Sequence, residues 1–262
     1  MTRISTEIRE NVAHVTLTRE DKMNGMDSEM IDAIIETGDA LCANEDIRAV
    51  VLSGEGRAFC AGLDVLSFAT LASQDPQELL MPRLDGKNTN HFQDVAMVWR
   101  RVPVPVIASL HGVVFGAGLQ MSLGADIRIA HPDTLFSVME MKWGMIPDMG
   151  GMVLLPKLVR PDVMRQMIYT GEQVDATRAS EWGLITQLSE DPLTAAQSLA
   201  RDLANNSPSA IRAAKRLALF AESGASENEI LLEECREQAG LIGRPHQMEA
   251  VAANMERRPP KY

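Results

Sequence analysis

Cysteine is scarce in this 262-residue chain, and the three present, Cys42, Cys60 and Cys235, are odd in number and far apart. That fits free thiols in a reducing compartment better than a disulfide framework or a zinc cluster. The five histidines show no metal-ligand spacing. Long hydrophobic runs are missing too. The opening residues, MTRISTEIRE, alternate polar with apolar, and no later run approaches membrane-spanning length. Neither a secretory signal nor a membrane span is expected, and the cytoplasm is the expected location. Positive charge is in deficit: the net charge is −11 and the pI about 5.0. An average field of that sign repels nucleic acid and anionic membranes.

Three catalytic signatures are also lacking. Neither G-V-V-F-G-A-G nor G-E-G-R-A-F-C-A-G puts G-x-G-x-x-G in register after a strand, so a dinucleotide fold is not expected. There is no G-x-x-x-x-G-K-[ST] for a nucleoside triphosphate and no G-x-S-x-G elbow for a serine nucleophile. What is present is an ordinary globular composition, 45% hydrophobic and 23% charged, in a chain long enough to bury a sizeable core.

Residues 3–9 and 12–18 alternate like paired strands, and MDSEMIDAIIETGDALCA follows with helical spacing behind Asp27 or Ser28 as cap. AVVLSG (49–54) reads as a buried strand running into the small-residue turn EGRAFCAGLDV and then a helix. The unit recurs as the strand VPVIASLHG, the turn VVFGAG and the helix LQMSLG, before the strands DIRIA and TLFSVME. The polar stretch SQDPQELLMPRLDGKNTNH (73–91) predicts a mobile surface loop over a site, ahead of a helix around FQDVAMVWRRV. From about residue 191 the pattern is helical to the end, and the NNSP break at 205–208 divides an α/β core, 1–204, from a helical region, 205–262, whose apolar faces suit an oligomer interface.

Two Gly-rich turns after two buried strands could aim the backbone N–H groups of Leu63 and Ala117 at one spot, where they would hold an oxyanion. The same glycines would serve equally in tight turns that only allow close packing. Downstream, SVMEMKWGMIPDMGG carries Glu140 just past a strand and Asp148 before a helix. Asp148 would serve as a helix cap and Glu140 as a surface carboxylate. Two carboxylates beside an apolar turn with Trp143 and Ile146 also suit proton shuttling at carbon, because an apolar wall raises a carboxylate's proton affinity. The methionines at 139, 141, 145, 149 and 152 fit a pocket or core lining rather than a metal site, Cys60 fits a small buried residue, and His91 and His111 fit structural roles.

AFCAGLDV, HGVVFGAGLQMSLGADIRIA, FSVMEMKWGMIPDMGG and TGEQVDATRASEWGLI, in that order, resemble the crotonase superfamily, also called the enoyl-CoA hydratase/isomerase family. The likeness runs from about residue 3 to the tail ERRPPKY. It implies a ββα spiral core with a C-terminal helical trimerisation region, assembled as a trimer or a dimer of trimers. It also implies an acyl-CoA thioester substrate whose carbonyl oxygen sits between the amides of Leu63 and Ala117. Met23, Met26, Ala61, Gly62, Asp64, Val65, Leu66 and Gly116 would line the CoA and substrate channel. No metal or redox cofactor is implied, since coenzyme A enters as part of the substrate.

Hydratases of that family use two glutamates; here Glu140 matches the second, and Gln120 stands at the first. A glutamine neither accepts nor delivers a proton at neutral pH. Asp148 is similar in position to an aspartate of the family's dienoyl-CoA isomerases, which also carry an acid where Gln120 stands. It is similar also to the nucleophilic aspartate of chlorobenzoyl-CoA dehalogenases, but those have tryptophan in place of Glu140. The expectation is an enoyl-CoA hydratase/isomerase-type enzyme with Glu140 and Asp148 as proton carriers and Gln120 orienting water or substrate, isomerisation being preferred over hydration. Hydration by Glu140 with Gln120 orienting the water, and a non-catalytic CoA- or RNA-binding subunit, stay as alternatives.

Overall fold

The computed structural model describes residues 2–67 and 73–262. Ile4–Arg9 (β1) and Val12–Leu17 (β2) form an antiparallel hairpin with Arg9 opposite Val12. Its turn residues, Glu10 and Asn11, have φ of 50° and 62°, the left-handed pair whose twist matches that of the flanking strands. Ser28–Ala43 (α1) follows, capped by Asp27, whose carboxylate accepts from the Met30 amide. One face of α1 buries Met30, Ile31, Ile34, Ile35 and Leu41. Gly38 on that face admits Val98: a Cβ there would stand 2.2 Å from Val98 Cγ2.

Ala49–Gly54 (β3) lies parallel to β2. The helix expected beyond Val65 falls largely on residues 68–72, outside the described residues. Pro76–Leu80 (α2) and His91–Arg101 (α3) come next, α3 closed at its start by a reciprocal capping box between Asn90 and Gln93. Val106–Leu110 (β4) is buried throughout. Val113–Phe115 (β5) leads into Ala117–Leu123 (α4), followed by Ile127–Ala130 (β6) and Leu135–Ser137 (β7). A 3₁₀ turn at Glu140–Trp143 precedes Gly151–Leu154 (α5), Pro161–Thr170 (α6), Val174–Asp175 (β8), Ala176–Glu181 (α7) and Gln187–Leu188 (β9). The chain closes with Pro192–Ala204 (α8), Pro208–Ala221 (α9), Glu227–Ala239 (α10) and Pro245–Glu256 (α11).

The larger sheet has the order β1-β2-β3-β4-β6-β9 and the smaller β5-β7-β8; among the described residues only the β1/β2 and β7/β8 pairs are antiparallel. On one face of the large sheet α1 and α3 build the main core around Trp99 and Phe59. On the other, Ala196, Ala200 and Ala204 of α8 lie against Val12, Ala49, Val51, Ile107 and Ile129. The helices α9 to α11 bury far less, and Leu231, Leu232, Ile242, Met248, Val251 and Met255 stay exposed. No helix among the described residues is long and apolar enough to cross a membrane.

Two local readings of the sequence differ from the fold. VVF is a strand rather than part of a turn, because these β-branched and aromatic residues pair with Leu135–Ser137 in the second sheet. The 73–91 stretch is not free along its length: α2 interrupts it, and the segment after α2 is fastened down. Lys87 reaches Asp39 of α1 at 2.5 Å and the fully buried Asp94 of α3 at 2.7 Å, Thr89 donates to Asp94 at 2.6 Å, and Asn90 donates to the Leu80 carbonyl at 2.8 Å.

Candidate active site

The first turn is held by backbone. Ala61 N–H donates to the Met23 carbonyl at 2.9 Å, Met26 N–H to Gly62 at 2.8 Å, and Asp64 N–H to Met26 at 2.8 Å. Between them the Leu63 amide has no acceptor among the described residues. Beneath this turn Asn24, fully buried and left-handed at φ 53°, donates to the carbonyls of Glu55 and Ala58, both at 2.9 Å, and accepts from the Arg19 amide. The second turn pivots on Gly116, whose φ of 49° and ψ of −119° admit only glycine comfortably. Gly116 N–H is used by Ser137, whereas Ala117, at the first position of α4, has an amide with no acceptor among the described residues.

The two turns touch because Gly62 lacks a side chain. At φ 99°, a Cβ on Gly62 would stand 2.9 Å from the Phe115 carbonyl oxygen and 3.7 Å from the Ala117 nitrogen. Gly118 sits as tightly over Cys60, with a would-be Cβ 2.6 Å from that residue's carbonyl oxygen. Cys60 is fully buried, donates to the Asn24 carbonyl, and has its thiol pushed up to about 12 by burial. It is therefore a packing residue and not a nucleophile.

Glu140 opens the 3₁₀ turn beyond β7 and is 8% exposed. Its Oε1 accepts from Gln120 Nε2 at 2.6 Å; its Oε2 is buried without a partner among the described residues. Burial raises its carboxyl above the ordinary range, aided by the charge of Asp148 and opposed by the bond from Gln120. Asp148 makes no capping bond to α5, which begins behind Gly150. It stands instead at the cavity wall, more open than Glu140, and its carboxyl is also raised by burial.

Gln120 lies where the sequence expectation did not put it. It is buried, outside the cavity lining, and its Oε1 accepts from the amides of both Met149 (2.8 Å) and Gly151 (3.0 Å). With both lone pairs of Oε1 taken and one of its two N–H groups on Glu140, it holds that carboxylate in place. Gln120→Leu is expected to orphan two amides and one carboxylate oxygen, costing about 1–3 kcal/mol of stability. It should also lower kcat ~10–100-fold through misplacement of Glu140, and the acid limb of the pH–rate profile should move upward, since the lost bond is one that lowers the Glu140 pKa. Thermal unfolding and kcat against pH check both effects.

The cavity between these groups measures about 610 Å³. Ala61, Gly62, Leu63, Val65, Gly116, Ala117, Glu140 and Asp148 all line it, together with Leu79, Leu80 and Phe92, which the sequence did not single out. Met139, Met145 and Met149 line it as expected of a pocket, while Met141 and Met152 face outward. Four of the residues expected along the channel, Met23, Met26, Asp64 and Leu66, are not among those that line this cavity. Met26 is fully buried in the core and Leu66 is 73% exposed, while Asp64 is paired with Arg19 at 2.7 Å. Met23 contributes its carbonyl to the turn, as does Met26. Among the described residues no cluster of three His, Cys, Asp or Glu could hold a metal.

Two amides without an acceptor among the described residues, those of Leu63 and Ala117, and the buried, half-partnered carboxylate of Glu140 line one cavity. The chain belongs to the enoyl-CoA hydratase/isomerase family, whose model matches residues 7–262. It is 31% identical over 262 residues to 1,2-epoxyphenylacetyl-CoA isomerase of Escherichia coli (strain K12), covering 99% of this chain and 97% of that protein. It is 30% identical over 223 residues to the mitochondrial Delta(3,5)-Delta(2,4)-dienoyl-CoA isomerase of Homo sapiens, covering 80% of this chain and 66% of that protein. The crystal structure of an enoyl-CoA hydratase from Bacillus anthracis superposes with a TM-score of 0.88 at 26% identity, covering 99% of this chain and 98% of that one. The protein is accordingly a crotonase-fold enzyme of the acyl-CoA-processing kind.

Proposed function

We propose that this enzyme shifts a double bond along an acyl-CoA thioester. The carbonyl oxygen lies between the amides of Leu63 and Ala117, which take up the negative charge of the enolate. One of the two carboxyls, Glu140 and Asp148, removes a proton from carbon in its ionised form, and the other, protonated, returns one to a different carbon as the enolate collapses. The two carboxyls then exchange a proton, directly or through solvent, to reset the site. Both are raised towards the range where such exchange is easy. No cofactor has a part in these steps.

The observation that carries this reading is the Gln120 clamp. Its oxygen is saturated by two amides and its nitrogen is committed to Glu140, so position 120 supplies no base or acceptor to activate a water. That favours isomerisation over hydration. The acidic balance and the intact Glu140 weigh against a non-catalytic or RNA-binding subunit. Incubation of 3-enoyl- and 3,5-dienoyl-CoA thioesters in deuterated water, followed by mass spectrometry, is the test. Deuterium uptake with a shifted double bond is expected; a product heavier by one water as the main species would overturn the reading.

We also propose a homotrimer or a dimer of trimers, supported by the exposed apolar residues of α10, α11 and Ile242. Sedimentation as a single chain at micromolar concentration would count against it.

A further inference from the structure

Among the described residues, every ionisable group that lines the 610 Å³ cavity is an acid. Glu140 and Asp148 line it, and no lysine, arginine or histidine does so among the described residues. The intervening residues 68–72 read Phe-Ala-Thr-Leu-Ala and add no charge to the sequence. Lys142, which is exposed, stands 5.6 Å from the ring centroid of Trp143 and does not line the cavity. The rest of the lining is apolar: Leu79, Leu80, Phe92, Trp143, Ile146 and Met149 carry most of it.

We propose, building on the acyl-CoA reading, that this wall selects thioesters whose acyl group is uncharged and apolar along its length and rejects those bearing a second carboxylate. A carboxylate carried into the cavity loses its hydration, finds no cation among the described lining residues to replace it, and meets a carboxyl pair that already carries negative charge. A methylene carried to the same place leaves water for side chains that are already apolar, a gain of roughly fourfold in affinity per buried group. The selectivity therefore arises from both walls of the choice, attraction for one class and repulsion of the other.

Unreactive CoA thioethers isolate this from chemistry. Wild-type protein is titrated calorimetrically with S-octyl-CoA and with the thioether of equal chain length ending in a carboxylate. The carboxylated ligand is expected to bind at least about 100-fold more weakly. Ile146 is 67% exposed and lines the cavity, so Ile146→Arg adds a cation without emptying the core. That variant is expected to narrow the ratio at least tenfold. Equal binding of the two ligands by wild-type protein, or a ratio unmoved by the arginine in a variant with normal thermal unfolding, overturns the proposed selectivity and leaves the acyl-CoA reading standing. Failure of both thioethers and of CoA itself to bind overturns the acyl-CoA reading, and this inference with it.

Discussion

Glu140→Gln is expected to lower turnover on any enoyl- or dienoyl-CoA substrate by about 10²–10⁴-fold, the usual contribution of a positioned acid/base. The argument rests on a single atom. Glu140 Oε2 is a buried carboxylate oxygen without a partner among the described residues, in the cavity that the Leu63 and Ala117 amides also line, and Gln120 cannot replace it because a carboxamide is no base and its oxygen is already taken by two amides. The substitution preserves shape and keeps an oxygen to accept from Gln120, so folding should survive. Stability should in fact rise near neutral pH. Burial raises the folded-state pKa of Glu140 above its ordinary 4.5. Between 4.5 and that raised value the native state binds more protons than the unfolded chain, so stability falls as pH climbs through the window. The glutamine variant escapes that loss: its excess Tm is expected to be full above the raised pKa and to vanish below about 4.5, where both states of the wild type are protonated. Full turnover in the variant would remove Glu140 from the mechanism, and a Tm gain that persisted unchanged into acid would remove the linkage argument.

Gly62→Ala is the second large effect. The added methyl would stand 2.9 Å from the Phe115 carbonyl oxygen, on a backbone with φ of 99° that L side chains rarely adopt. Because the obstacle is backbone, the two turns must part, and the amides of Leu63 and Ala117 part with them. Loss of one oxyanion donor costs about 10²–10³ in kcat, and that range is expected here. Affinity for a thioether analogue, which develops no oxyanion, should change much less. If kcat fell only in step with thioether affinity, the two amides would be ordinary turn geometry and not a charge-stabilising pair. Comparing kcat with thioether Kd in the same preparation decides the matter.

Much of this was legible in the sequence because it is encoded locally. Buried strands such as Ala49–Gly54 are short β-branched runs, and the glycines at 62, 116 and 118 mark the turns that bring α4 onto the first loop. The cap at Asp27 and the final helices follow from spacing alone. What escaped depends on contacts between distant residues. Asn24 carries only the Asn-Gly signal of a turn, yet it holds carbonyls at Glu55 and Ala58. The task of Gln120 is set by amides at Met149 and Gly151, 29 and 31 residues away, to which no periodicity points. Asp148 read as a cap because it precedes a helix, but α5 starts three residues later behind a left-handed Gly150, leaving the carboxylate at the cavity. Met26 matched a channel motif by position while its side chain belongs to the core.

The fastening of Lys87 between Asp39 and Asp94 bears on how a ligand arrives. A loop pinned at its middle has given up its freedom during folding, so the part of the cavity wall formed by Leu79 and Leu80, tied to it through Asn90, needs no ordering when an acyl chain enters. On that side the entropy of closure is charged to the folding reaction and not to association, and encounter is not gated there by the settling of a lid.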